Sequence, residues 1–103
     1  MVKAIFVLRR QPQWEWEAFC RYWLEMHALL ATKIPGLRRY IVDLAPSPEA
    51  PFAGVAEMWF DDEAAFHAGF ASPQGRATVE DGAKFLDLER QIYILAREHV
   101  IIG

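Results

Sequence analysis

A proline-glycine corner fixes the course of the first half of the chain. In Ile34-Pro35-Gly36, the residue before proline is pushed out of the helical region and the glycine tolerates a turn, so a helix must end here. Apolar side chains recur before the corner at helical spacing and predict a helix over 14–31. The β-branched and aromatic residues after it predict a strand over 37–44. This helix and this strand therefore run antiparallel, side by side.

One face of the predicted helix is almost entirely apolar. At about 100° per residue, the charged Glu17, Arg21 and Glu25 fall on the opposite face. His27 falls within the apolar arc and is therefore expected to face inward with it. The rest of the arc is formed by Trp16, Phe19, Tyr22, Trp23, Met26 and Leu30.

The remaining segments predict three more strands and two short helices. The strands are rich in β-branched and aromatic residues and carry apolar side chains on both faces. Asp61-Asp62 and Ser72-Pro73 supply N-cap residues for the helices, the second of which extends toward Asp81 and Phe85. The proline-rich segment 45–51 predicts an exposed loop. The strands are predicted at 2–9, 52–60 and 91–102, the last interrupted at 97–99.

This order of elements predicts an α+β protein. Strand, helix, strand, strand, helix, strand is the βαββαβ pattern of a single ferredoxin-like domain, 1–103, with a four-stranded antiparallel sheet and helices on one face. The chain is 53% hydrophobic and 14% aromatic, more apolar mass than a small domain readily buries alone. Two subunits that press their open sheet faces together would bury it. We therefore expect a homodimer that closes an α+β barrel.

Composition and spacing exclude several classes of function. The net charge is -3 and no basic run is present, which argues against nucleic acid as a partner. No apolar run is long enough to span a membrane, and the apolar segment 1–8 is too short for the core of a signal peptide. The single Cys20 suits a reducing compartment, so a cytoplasmic protein is expected. His67 and His99 lack partners at metal-ligand spacing, and no glycine-rich phosphate loop occurs. We therefore expect no metal and no cofactor.

Distance from the corner suggests which residues of the helix and the strand stand level. His27 precedes Pro35 by eight residues, roughly 12 Å along a helix. Tyr40 follows it by five, at most about 16 Å of strand before the turn is subtracted. A facing imidazole and phenol could move a proton and polarise a carbonyl or enolate oxygen. A packed core histidine beside a rim tyrosine explains the same residues without chemistry.

Three other polar residues are weaker candidates. Asp81 could accept a hydrogen bond in the same pocket or simply cap a helix. Glu57 could be buried, with a perturbed pKa, or could pair with Arg38 or Arg39 on the adjacent strand. Cys20 lies at the edge of the apolar arc and is interpreted as a small buried hydrophobe.

Five pieces of the chain together resemble EthD-domain proteins over nearly its whole length. The resemblance implies a dimeric α+β barrel. It also implies diverse functions, since the chain is similar to accessory proteins of ether degradation, to cofactor-free methylmuconolactone isomerases and to fungal polyketide dehydratases and decarboxylases; the family is often described as oxidoreductase. The active pair of the isomerases matches His27 and Tyr40, and the family aspartate matches Asp81. The pieces are Phe19–His27, Ile34–Tyr40, Gly54–Phe60, Phe70–Gly75 and the pair Asp81 and Phe85.

The leading interpretation is a cofactor-independent acid/base enzyme, an isomerase, lyase or oxidoreductase, for a small cyclic or aromatic oxygenated compound. His27 would act as acid or base and Tyr40 as oxyanion donor. An oxygen-dependent monooxygenase, a non-catalytic carrier or accessory subunit, and a packed barrel without a pocket remain as alternatives. The small hydrophobic ligand would lie between the helix and the sheet, walled by Trp16, Phe19, Trp23 and Trp59.

Overall fold

A computed structural model describes residues 1–103 and contains one four-stranded sheet with helices against one of its faces. None of these helices has the length and apolar character needed to cross a membrane. The elements in chain order are β1 (Val2–Leu8), α1 (Trp16–Tyr22), a π-helical segment (Trp23–His27), α2 (Ala28–Ala31), β2 (Arg39–Leu44), β3 (Gly54–Phe60), α3 (Glu63–Ala71), α4 (Pro73–Gly82), a 3-10 turn (Leu88–Arg90) and β4 (Ile92–Ala96). The first three helical pieces follow each other without a break and are together called the long helix.

The strands pair antiparallel in the order β2-β3-β1-β4, so β1 and β3 lie in the centre. Side chains alternate between the two faces of each strand, and the helix-covered face buries Ala4, Met58 and Phe60. This topology confirms the predicted ferredoxin-like α+β fold with its four-stranded antiparallel sheet.

The predicted last strand is wrong beyond residue 96. β4 pairs only with β1, and their register ends where Ala96 lies opposite Lys3. Because β1 itself begins at Val2, the chain beyond this point has almost no neighbouring strand to pair with. Residues 100–102 consequently leave the sheet, with exposed fractions from 70% to 94%.

Local causes set both ends of the long helix. The Glu15 carboxylate accepts a hydrogen bond from the Ala18 N–H at 3.0 Å, so the helix begins at Trp16, two residues later than predicted. After the helix, Gly36 adopts a φ of 83°, in the left-handed region that glycine tolerates. The chain reverses there and enters β2.

The long helix contains a wide turn that the sequence pattern does not predict. Its buried residues Phe19, Trp23, His27 and Ala31 are spaced by four. In a regular α-helix this spacing would drift about 40° at each step, because one turn takes 3.6 residues. The π-helical segment takes up this drift. Met26, predicted to lie in the apolar arc, is instead 57% exposed.

The sheet face away from the helices carries charges among apolar side chains. Lys3 Nζ lies 3.0 Å from the Glu57 carboxylate. Glu57 therefore pairs across to β1, and neither of the expected partners, Arg38 and Arg39, binds it directly. The Arg39 guanidinium instead lies 4.8 Å from the ring centroid of Trp59.

Candidate functional site

A cavity of about 310 Å³ lies between the helix-covered face of the sheet and the C-terminal half of the long helix, with α3 and α4 completing its wall. At ~30 Å³ per water molecule it would hold about ten, which is near the lower end of ligand-pocket sizes. No Lys, Arg, Asp or Glu lines it. The apolar wall includes Phe6, Leu8, Met58, Phe66, Phe70 and Leu86, and the polar or amphipathic groups are His27, Tyr40, His67, Thr78, Gln91 and Tyr93.

His27 and Tyr40 both line this cavity. The π-helical segment carries His27, which is only 7% exposed. Tyr40 comes from β2, where it lies opposite Met58 of β3, another lining residue. The two side chains that the corner was expected to bring level therefore reach one ligand space, as a joint role in catalysis requires.

Asp81 anchors the histidine from behind. It lies in the last turn of α4, lines no part of the cavity, and is 7% exposed. One carboxylate oxygen, Oδ2, lies 2.9 Å from His27 Nδ1. The other, Oδ1, accepts a 2.6 Å hydrogen bond from the Tyr22 hydroxyl and lies 3.4 Å from Lys84 Nζ. Asp81 thus contacts the candidate site through His27.

These contacts determine the protonation of the pair. Burial favours a raised pKa for Asp81, but the hydrogen bonds from Tyr22 and His27 outweigh it and hold that pKa below its usual value. Burial also lowers the pKa of His27, although Asp81 opposes this effect. At neutral pH the aspartate is therefore charged and the imidazole neutral. Since a carboxylate only accepts hydrogen bonds, His27 carries its proton on Nδ1 and leaves Nε2 as a free base.

The two tyrosines near the site remain protonated. Burial raises the pKa of Tyr40, while contact with the Trp23 indole opposes the shift. The hydrogen bond to Asp81 raises the pKa of Tyr22 to about 12. Each hydroxyl therefore keeps a proton to donate at neutral pH, and Tyr22 donates its proton to Asp81.

The four residues expected to wall the cavity do not line it, so that expectation is wrong. Phe19 and Trp23 are fully buried with Phe85 in the core beside the N-terminal half of the long helix, and Trp16 stacks against Phe19 at 5.7 Å between ring centroids. Trp59 lies on the other face of the sheet, because its neighbours on β3 point toward the helices. An apolar helix face supplies a cavity wall only where its side chains leave space.

Helix α3 contributes cavity residues that the sequence reasoning missed. Phe66 and Phe70, four residues apart, place their rings on the cavity, and His67 joins them. The His67 imidazole is more than half exposed and its Nε2 lies 3.5 Å from Glu63. The spacing of the two phenylalanines indicated that this helix packs on the sheet. Nothing in the sequence indicated that His67 reaches the same space.

The side chains of the types that bind metal ions do not cluster in this fold. No three of the His, Cys, Asp and Glu side chains lie close enough together to hold a metal ion. Cys20 is a free, partly buried thiol that packs against the core, and burial raises its pKa. It therefore behaves as the small hydrophobe that its position in the helix indicated.

Fold and cavity together define a class: small ferredoxin-like α+β domains with an apolar cavity between sheet and helices. The model of the EthD domain matches residues 11–89, which include both His27 and Asp81. Because the match spans most of the chain, this protein belongs to the EthD domain family.

Solved structures show the same fold. An EthD family protein from Bacillus halodurans has a TM-score of 0.78 and 28% identity, covering 96% of this chain and 100% of that chain. A dimeric ferredoxin-like protein from Thermobifida fusca has a TM-score of 0.76 and 17% identity, covering 94% and 90%. A putative antibiotic biosynthesis monooxygenase from Nitrosomonas europaea has a TM-score of 0.67 and 14% identity, covering 95% and 98%. No curated protein matches the chain.

Proposed function

We propose that this protein is a cofactor-independent acid–base enzyme, an isomerase or lyase, that acts on a small cyclic or aromatic oxygenated compound. One observation carries the proposal: the ring of His27 lines an apolar cavity while Asp81 binds its Nδ1 atom. Tyr40 lines the same cavity, and burial keeps its hydroxyl protonated by raising its pKa. A proton acceptor and an oxygen-directed donor are what enolisation of a carbonyl compound requires.

In the proposed reaction, Nε2 of His27 removes a proton from a carbon next to a carbonyl group. The electron pair left behind moves onto the carbonyl oxygen, and the Tyr40 hydroxyl donates a hydrogen bond to the enolate so formed. The Asp81 carboxylate, 2.9 Å from Nδ1, stabilises the imidazolium. Return of the proton to a different carbon gives an isomer. Its transfer to a departing hydroxyl group gives an elimination product and water.

The cavity wall favours a neutral substrate. Neither a cationic nor an anionic side chain lines it, so a charged ligand group would lose water without gaining an ionic partner. Aromatic and aliphatic side chains form most of the surface, which suits a flat, mostly apolar ring. A lactone, a phenol or a cyclic polyketide fits this description, whereas a phosphorylated compound does not.

Proton exchange in deuterated water tests the proposal without a known product. Lactones and cyclic ketones would be incubated with the protein, and exchange of the proton next to the carbonyl group would be followed by NMR. We expect the exchange rate to fall by about 10²- to 10⁴-fold in His27→Gln, which lacks the base. A fall of about 10²- to 10³-fold is expected in Tyr40→Phe, which lacks the oxyanion donor.

His99→Gln is the matched control, because His99 is exposed and lies outside the cavity. It should exchange protons at the wild-type rate. Exchange by His27→Gln at the wild-type rate would refute the acid–base proposal. Ligand binding without exchange or turnover by any variant would favour the carrier alternative.

Oxygen-dependent oxidation is a second candidate for the same cavity. The Nitrosomonas europaea protein of the same fold is described as a putative antibiotic biosynthesis monooxygenase. A neutral His27 beside an apolar space could deprotonate a phenol, and the resulting phenolate is more readily oxidised than the phenol. Oxygen uptake on addition of a phenol or anthrone, lost in His27→Gln, would favour this reaction over isomerisation.

We also propose that the protein is a homodimer joined through the open faces of its sheets. Ile92 and Ile94 of β4 are each 55% exposed on this face, and Ile5 lies between Ile94 and Glu57 in register. Burial of this surface against a second copy would remove apolar area from water. Solved relatives of the same fold are described as dimeric.

Light scattering after gel filtration tests the dimer. The wild type should have twice the 11.8 kDa mass of one chain, and Ile94→Glu should shift it toward one chain. Leu24→Glu is the control, since Leu24 is comparably exposed at 48% but lies on the long helix. A monomeric wild type would refute the dimer.

A further inference from the structure

We infer that a second site, separate from the cavity, binds a small oxyanion at the C-terminal end of β1. A cleft of about 210 Å³ opens there between the end of β1, the proline-rich loop and the 3-10 turn. Three arginines line it, Arg9, Arg10 and Arg90, against a single acidic residue, Asp87. The protein as a whole carries a net charge of -3, so this local excess of positive charge is distinctive.

The loop holds Arg9 in place. Its Nη1 donates to the Pro51 carbonyl at 3.1 Å, and its guanidinium carbon lies 4.3 Å from the ring centroid of Phe52. Its Nε is shielded from solvent and has no hydrogen-bond partner. Nε is therefore closed to a ligand in the cleft, and an anion there would contact this guanidinium through its Nη groups.

Arg10 is fixed in the same manner from the other side of the cleft. Its Nη1 donates to the Trp14 carbonyl at 2.6 Å, and its guanidinium carbon lies 5.7 Å from the ring centroid of Trp16. One carbonyl, bound through Nη1, and one ring thus orient each guanidinium. Because these side chains are already ordered, a ligand pays little of the rotamer entropy that usually weakens arginine contacts.

Arg90 supplies the third and most adaptable charge. Its Nε lies 3.9 Å from Asp87 Oδ2, a distance too long for a hydrogen bond, and its side chain is 64% exposed. It can therefore turn toward a bound anion at small cost. Guanidinium forks match the paired oxygens of carboxylate, phosphate and sulfate, whereas chloride offers no paired acceptors. The ligand class is accordingly a small oxyanion, free or as part of a metabolite.

The cleft and the cavity lie on opposite sides of one short segment. Leu88 and Gln91 line the cavity, while Asp87 and Arg90, in the same stretch of chain, line the cleft. Occupation of the cleft therefore does not depend on the chemistry proposed at His27. Failure of either proposal would leave the other untouched.

Titration followed by NMR of the arginine side chains tests this site. The ¹⁵N-labelled protein would be titrated with inorganic phosphate and, separately, acetate, with sodium chloride at matched ionic strength as the reference. We expect saturable shifts at Arg9 and Arg10 with at least one oxyanion and none with chloride. Arg10→Gln should weaken binding by about tenfold and Arg90→Gln by a smaller factor.

Arg21→Gln is the matched control, because Arg21 is exposed on the long helix and lies outside the cleft. It should bind as the wild type does. A preference for phosphate over acetate would identify a dianion site, and the reverse a carboxylate site. Equal shifts with chloride, or unchanged binding in a folded Arg10→Gln, Arg90→Gln double variant, would overturn the inference.

Discussion

The two halves of the long helix face the same sheet but border different interiors. In the first half, Phe19 and Trp23 pack against Phe85, with ring centroids 5.5 and 6.3 Å from it, and neither ring lines the cavity. In the second half, the inward side chains are His27 and Ala31, and the cavity lies in front of them. The difference teaches that side-chain size determines where this fold is solid and where it can accept a ligand.

The π-helical segment makes this division possible. It begins at Trp23, the last large ring of the packed half, and ends at His27, the first residue of the cavity half. Without its wide turn, inward residues spaced by four would rotate away from the sheet. The segment therefore lets one helix supply a rigid packed end and a polar group aimed at a cavity.

The largest predicted effect is a loss of stability when packing is removed from the first half of the long helix. Trp23→Ala removes a fully buried indole that contacts both Phe19 and Phe85, and should lower the free energy of unfolding by about 3–5 kcal/mol. Leu24→Ala, a neighbouring exposed position, should change it by less than about 0.5 kcal/mol. Urea denaturation measures both. Equal losses would mean that the packed half does not carry the stability ascribed to it.

Sequence patterns predicted the fold well because burial dictates them. The runs of β-branched and aromatic residues mark the strands, the Pro35-Gly36 corner ends the first helix, and together they predicted the element order and the antiparallel sheet. The segment 100–102 misled the prediction, because β-branched residues indicate a strand whether or not a neighbouring strand is there to pair with it.

The candidate site was predicted in part. Counting residues from the corner placed His27 and Tyr40 level, and both line the cavity. The same reasoning could not place the cavity's walls, because it equated an apolar helix face with a ligand surface. An aromatic ring such as Trp23 either fills the interior or borders a cavity, depending on which side chain packs against it. Here that side chain is Phe85, which is distant in sequence, so local periodicity does not reveal the contact.

A second prediction concerns Asp81, which binds His27 in the second half of the long helix. Asp81→Asn removes the carboxylate that accepts from Tyr22 and His27, and should destabilise the protein by about 1–3 kcal/mol at pH 7. Glu80→Gln, an exposed neighbour on α4, should be nearly neutral. Thermal unfolding at matched concentration compares them. An Asp81→Asn protein as stable as Glu80→Gln would show that the anchor is dispensable.

The pH dependence of stability shows whether burial or Asp81 has the larger effect on the pKa of His27. Because burial lowers its pKa, the unfolded chain takes up a proton below about pH 6.5 while the folded protein does not. Stability should therefore fall on acidification through this range, by up to about 1.4 kcal/mol per pH unit. The difference between wild type and His27→Gln isolates this contribution. A gain on acidification would mean that Asp81 raises the pKa above its unfolded value.

The smallest predicted effect is that of Gly82→Ala, which adds a methyl group beside the cavity. A Cβ added at Gly82 would lie 3.6 Å from His27 Cε1 and 3.6 Å from Leu86 Cδ1, which is ordinary van der Waals contact. Gly82→Ala should therefore stabilise α4 by about 0.5–1 kcal/mol and narrow the cavity beside the histidine. The free energy of unfolding, measured by chemical denaturation, should rise, while the affinity for a cavity ligand should fall. A destabilised variant would show that this space is tighter than the structure indicates.

The central claim is that His27, which lines the cavity, is a neutral base that Asp81 orients through Nδ1 and that carries no proton on Nε2. Nitrogen-15 NMR of the imidazole measures this directly, because protonated and unprotonated ring nitrogens have different chemical shifts. At neutral pH we expect a proton on Nδ1, an unprotonated Nε2, and a pKa below 6.5. A proton on Nε2, or an imidazolium that persists at pH 7, would contradict the account.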